Sequence, residues 1–245
     1  MIIAPPAVSL GSWWRLAVQD KTLLRSLEDD LIARIQLRGK TLDIGGGATF
    51  DYVKAITVDG RVESVNMSAD VRPTFVADLN AALPIGDAAY DNVICFNTLE
   101  HVLDERAMLN ELLRVLRPGG CFVITVPFLF RRHGNYGDFH RHTAEFWEHI
   151  LTDHGIASGA FQVQPLVWSP LSSALTTLPW FRGGLRGRVV KLAVLAMPLL
   201  YGRQGGRPDT NYALGYYIDG WKLAEGLEFE KRGSTDITDT PGTYK

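Results

Sequence analysis

Thr41-Leu42-Asp43-Ile44-Gly45-Gly46-Gly47-Ala48-Thr49-Phe50 is the stretch on which the fold turns. A short apolar run holding one carboxylate passes straight into three glycines. Such a run, bounded by turn residues, reads as a buried strand. The glycines permit a tight turn at its end and leave no side chain between backbone and ligand. A carboxylate just before them would repel a pyrophosphate and attract a cationic group. In the G-x-G-x-x-G spacing of dinucleotide loops the third glycine would fall on Phe50. The loop therefore suits a cationic or uncharged nucleoside better than NAD.

Working outward, residues 62–66, 75–77, 92–96 and 121–126 are further short apolar runs. Between the last two, residues 104–116 carry Leu109, Leu112, Leu113 and Leu116 on one side at helical spacing, and Arg117-Pro118-Gly119-Gly120 turns that helix into the next strand. A helix over 143–154 starts at a capping Thr143 and stops at Gly155. Upstream, residues 12–38 hold Leu23, Leu27, Leu31 and Ile35 at helical spacing, with Asp20 as N-cap and Gly39 as stop. Residues 161–168 and 214–222 read as two more strands. Strands alternating with helices predict an α/β fold, a parallel sheet with helices on both faces.

The chain has 245 residues, enough for one large domain, and its 46% hydrophobic and 21% charged residues exclude wholesale disorder. We expect a helical segment at 1–38, a binding core at 39–168, an insertion at 169–211, a last strand within 212–232 and a frayed tail at 233–245. Cys95 and Cys121 are two buried-strand cysteines rather than a disulfide scaffold. The first residues lack the basic start of a secretory signal, and no apolar run reaches the roughly 18 residues that span a bilayer. The expectation is a cytoplasmic protein. A net charge of −2 argues against a dedicated nucleic-acid binder. That charge is unevenly spread: residues 154–208 contain six basic residues and no acid, leaving 19 − 27 = −8 elsewhere.

In its motifs the chain resembles the class I S-adenosylmethionine-dependent methyltransferases, over roughly residues 38–168 and the last strand. Asp43 through Gly47 resembles the family's D-x-G-x-G motif, with Thr49 where a third glycine often sits. Asn66, before Met67, stands where the family usually places an acid on the ribose hydroxyls. Asp78 and Leu79 match the adenine position. Asp91 through Val102 matches the fourth strand and its loop, including Asn97, and Leu116 through Gly120 matches the turn into the fifth strand. The resemblance implies a seven-stranded, mostly parallel Rossmann-like sheet with S-adenosylmethionine as methyl donor. It implies cofactor contacts from Asp43, Gly45, Gly46, Gly47, Asn66, Met67, Asp78, Leu79 and Asn97. Thr49 and Asn66 keep open a catalytically inactive nucleoside- or partner-binding domain.

An alcohol acceptor has to lose a proton, which calls for a positioned base, and histidine suits neutral pH. All six histidines fall between positions 101 and 154. His101 follows the fourth strand, and His133, Asp138, His140 and His142 lie in the loop after the fifth, on the edge where ligands bind in open α/β sheets. His101, His140 and Asp138 are the candidate catalytic residues. Related enzymes of cell-surface glycan and glycolipid pathways carry a similar loop, which implies a small-molecule or glycan-type acceptor. No metal is expected, since alternating histidines in a loop are no specific signature. The basic, apolar insertion could cap the pocket, bury itself in the domain, or contact anionic lipid at the inner membrane face through 182–207.

Overall fold

In the computed structural model, residues 22–134, 137–167 and 210–224 are described, together with isolated helical positions 189, 192 and 193. The expected Asp20 cap, the start of the N-terminal helix, the bulk of the insertion and the tail from 225 lie outside the described residues.

Helix α1 (Leu23–Ile32) is capped by Thr22, whose hydroxyl accepts the Arg25 amide at 3.2 Å, and it buries Leu23, Leu24, Leu27, Leu31 and Ile32. It stops six residues before the expected end at 38. Residues 36–38 follow a strand period instead, with Leu37 buried between exposed Gln36 and Arg38, and form β1 (Gln36–Arg38). Ile35, wholly buried, joins the same core from the connecting turn. Gly39, at φ +88°, then swings the chain into β2 (Thr41–Ile44).

The elements that follow are β3 (Thr57–Asp59), β4 (Val62–Asn66), β5 (Phe75–Val76), β6 (Tyr90–Phe96), α2 (Glu105–Val115), β7 (Leu116–Pro127), α3 (Ala144–Asp153), β8 (Phe161–Leu166) and β9 (Gly215–Trp221). Strands β1 and β3 pair by themselves. The main sheet has seven strands in the order β5-β4-β2-β6-β7-β9-β8, parallel except for β9, which runs antiparallel to both neighbours. The crossover after the glycine loop holds a single 3₁₀ turn (Asp51–Lys54) and β3. One expectation changes in detail. Residues 117–120, expected as a turn, belong to β7, where they bulge between the pairs Tyr90–Leu116 and Asn92–Cys121.

The pleat divides the core in two. On β6, Val93 and Cys95 face one side while Ile94 and Phe96 face the other; on β7, Phe122, Ile124 and Val126 alternate with Cys121 and Val123. One side is closed by Leu109 and Leu112 of α2 and Trp147 and Ile150 of α3, the other by α1. Both faces of the central strands are thus covered, as a parallel sheet requires. Connections from β2 lead toward β4 and β5, those from β6 toward β7. The order therefore reverses between β2 and β6, and the crevice at their carboxyl ends is the natural binding place.

Candidate functional site at the carboxyl edge of the sheet

Asp43 comes up through β2, one residue before the turn. It is 1% exposed; Oδ2 accepts the Tyr52 hydroxyl at 2.9 Å, and Oδ1 has no hydrogen-bond partner. Burial raises its pKa to about 7, against the lowering effect of the Tyr52 bond. The glycines pack close around it. A Cβ at Gly46 would overlap the Asp43 carboxylate, one at Gly45 the Thr98 side chain, and one at Gly47 the Val71 backbone. Glycine is therefore required here by neighbouring protein atoms, and not only to clear space for a ligand as the sequence suggests. Gly45 also lies at φ +82°.

Asn66, at the end of β4, braces this turn. Its Nδ2 donates to Gly45 O at 2.6 Å and Gly46 O at 3.3 Å, and its Oδ1 accepts the Ser68 amide at 2.9 Å. A carboxylate could make neither of the first two bonds. Met67 packs against the core. Leu79 is 6% exposed within it. Asp78 is exposed and is held by Asn80, whose own Oδ1 accepts the Leu103 amide at 2.8 Å. Asn97, at φ +46°, ends β6; its Nδ2 donates to Thr125 Oγ1 at 3.1 Å.

Behind Asn97 lies a residue that sequence reading missed. Glu28 of α1 is 1% exposed beside Asn97 and Thr125, with Arg25 at 3.3 Å from Oε2, and burial raises its pKa to about 7. Glu100, in the turn after β6, is buried as well; neither oxygen has a hydrogen-bond partner, and burial raises it to about 8. The Glu28 signal was present as Leu24-x-x-x-Glu28-x-x-Leu31, which places the acid inside the helix's apolar stripe. Glu100 has no comparable periodic marker.

The loop after β7 folds back over this turn. His101 Nδ1 lies 2.6 Å from Gly137 O, and since a carbonyl only accepts, Nδ1 carries a proton, and in the neutral ring Nε2 has the lone pair. His133 stands edge-on to His101 at 4.9 Å between ring centres. Asp138 is gripped by Arg141 at 2.5 and 2.7 Å and accepts the His133 amide at 2.8 Å; this hydrogen bonding holds its pKa below the ordinary carboxylate value despite burial. Asp138 thus organises the loop. His140 Nε2 lies 2.9 Å from Val102 O, its Nδ1 stands 3.1 Å from Glu105 without a hydrogen bond, and His142 Nε2 lies 2.8 Å from the same carboxyl. Of the expected catalytic residues, His101 and His140 each keep one ring nitrogen without a hydrogen bond, while Asp138 is taken up by Arg141. A separate cleft of about 530 Å³, lined by residues of α3 and β8 such as Glu148, His149 and Gln162, includes none of these side chains.

Residues 42–124, which hold the glycine turn, Asn66, Asn97 and His101, match the methyltransferase domain family. A probable S-adenosylmethionine-dependent methyltransferase of Mycolicibacterium smegmatis is 45% identical over 47 residues, covering 19% of this chain and 18% of that protein. An uncharacterized methyltransferase of Mycobacterium sp. (strain KMS) is 35% identical over 98 residues, or 36% and 38% of the two chains. The matched stretch is under half the length of either relative. Among solved structures, a chain of the complex between the Haloferax volcanii Trm112 methyltransferase activator and a methyltransferase is similar at TM-score 0.53 and 15% identity, covering 87% of this chain and 98% of that one. That likeness concerns the fold. Residues 42–124, with the strand order and the Asp43–Gly47 turn, are thus similar to a methyltransferase domain.

Proposed function

We propose that this chain transfers the methyl group of S-adenosylmethionine to an oxygen of a small or carbohydrate-type acceptor. The observation that carries the reading is the buried Asp43 carboxyl, with one oxygen unpartnered, beneath a glycine turn at the strand-order reversal. An orphaned buried acid is costly unless a cationic or hydrogen-bonding group meets it, which fits the donor's charged amino-acid end. When bound, the donor supplies an electrophilic methyl group on sulfur. Asp43 favours the cationic end, Gly45, Gly46 and Gly47 shape the turn, Asn66 and Met67 border the ribose side, and Asp78 and Leu79 the adenine side. Asn66 acts through the turn it braces.

Alignment is the main contribution such a site makes to an in-line displacement. Among the protein's own groups, His101 Nε2 is the one to take or orient an acceptor's proton, its ring held by the bond to Gly137. Arg141 and Asp138 keep the covering loop in register, which limits water. A screen of hydroxylated acceptors with isotopically labelled donor tests the reaction: His101→Gln should lower transfer about 100-fold or more with donor affinity kept. Transfer to an amine alone would refute the oxygen assignment.

A second reading, donor binding without catalysis, draws on Asn66, whose amide donors are committed to Gly45 and Gly46. It predicts donor affinity and no transfer to any acceptor in the same screen.

A further inference from the structure

We infer that Glu100, His101 and His133 form a binding site for one divalent transition-metal ion of the zinc type, a property that does not depend on methyl transfer. His101 Nε2 and His133 Nε2 each stand 3.6 Å from the same carboxylate oxygen, Glu100 Oε1. That separation is too long for a hydrogen bond. It is close to what a shared ion imposes: two ligands each about 2.1 Å from a tetrahedral ion are about 3.4 Å apart. The three ligand atoms all lie within 4.8 Å of one another.

The surroundings favour the same occupant. Glu100 is 2% exposed and both of its oxygens lack hydrogen-bond partners, so a buried carboxyl is aimed into the gap with nothing to satisfy it. The His101 nitrogen turned away from the gap is fixed by Gly137 O at 2.6 Å, which in the neutral ring leaves Nε2 unprotonated and able to ligate. The far nitrogen of His133 has the Asp138 carboxylate at 3.5 Å. A carbonyl hydrogen-bonded behind the imidazole, as Gly137 is behind His101, is the supporting arrangement that metal-bound histidines use. Arg141, the nearby cation, is already neutralised by its paired bonds to Asp138. Both histidine side chains remain partly exposed, at 22% and 28%, which gives an ion a path in. Three protein ligands leave a fourth position open.

The second cluster, Glu105 with His140 and His142, differs in geometry. There the imidazoles face different carboxylate oxygens, at 3.1 and 2.8 Å, and the His142 ring is stacked on Phe146 at 3.6 Å. Its two imidazoles do not converge on one carboxylate oxygen, as those of the first cluster do.

The test uses the full chain, stripped with a chelator, dialysed and titrated with Zn²⁺ in a calorimeter, with circular dichroism to confirm folding. Saturable zinc binding is expected, with affinity weakened about 100-fold or more in His133→Ala, His101→Ala and Glu100→Gln, and unchanged in Glu105→Gln and His142→Ala. Should the first three variants fail to fold, X-ray absorption at the zinc edge of Glu105→Gln protein decides, with two imidazole nitrogens expected at about 2.0–2.1 Å. No zinc binding, binding indifferent to the first set of variants, loss of binding in the second set, or an absorption edge without imidazole would each overturn the assignment. If zinc binds while no donor does, the methyl-transfer reading fails and this one stands.

Discussion

Glu28→Gln isolates the price of holding an acid behind the site. The carboxyl is 1% exposed, and burial raises its pKa from 4.5 to about 7. Because the folded value lies above the unfolded one, this group's contribution is fully present below pH 4.5 and is lost as pH rises through about 7. The difference of 7 − 4.5 = 2.5 units corresponds, at 1.36 kcal/mol per unit, to about 3 kcal/mol of stability lost between pH 4.5 and 8. Glutamine keeps the shape and cannot ionise. Urea unfolding of both proteins at pH 5 and pH 8 should therefore show the variant gaining about 3 kcal/mol on the wild type between the two conditions. At roughly 2.1 cal/mol/K per residue, that is about 6 °C in Tm for a chain of this size. Using the change with pH removes any constant effect of the amide on Arg25, Asn97 or Thr125. Parallel pH curves for the two proteins would refute the reasoning.

Three other outcomes follow from the same geometry. Gly45→Ala forces a side chain into a left-handed backbone and onto Thr98; unfolding should cost about 2–4 kcal/mol less, and donor binding should weaken with it. Asn66→Asp replaces a donor to two carbonyls by an acceptor. It should destabilise by about 1–3 kcal/mol and loosen S-adenosylhomocysteine, whereas tighter binding would return Asn66 to a direct ribose role. Asp43→Asn should weaken the same ligand more than about tenfold, roughly 1.4 kcal/mol; an unchanged affinity removes Asp43 from the site.

Much of the sheet was legible because its signals are local. The 41–44 and 92–96 runs are short, apolar and bounded by turn residues, and they became β2 and the bulk of β6. The leucines after Asp104 marked α2 through a 3.6-residue period, and Asp104 Oδ1 caps it by accepting the Ala107 amide at 3.0 Å. What failed was local competition and long range. The period of Leu23, Leu27, Leu31 and Ile35 continues past the helix end, yet Leu37 carries a strand alternation that pairing with β3 selects. The convergence of Glu100 with His101 and His133 joins residues 33 positions apart, and no spacing rule reports which nitrogen faces which oxygen.

Membrane contact through 182–207 falls almost entirely outside the described residues, among which no helix is long and apolar enough to cross a bilayer. The basic, acid-free composition of 154–208 still distinguishes that segment from the rest of the chain.

The account rests on the glycine turn over Asp43 being a place where a sulfur nucleoside binds. Calorimetric titration of the folded wild-type chain with S-adenosylhomocysteine tests it most directly. The prediction is one saturable site with micromolar affinity, about −8 kcal/mol. No heat of binding at millimolar ligand would contradict it.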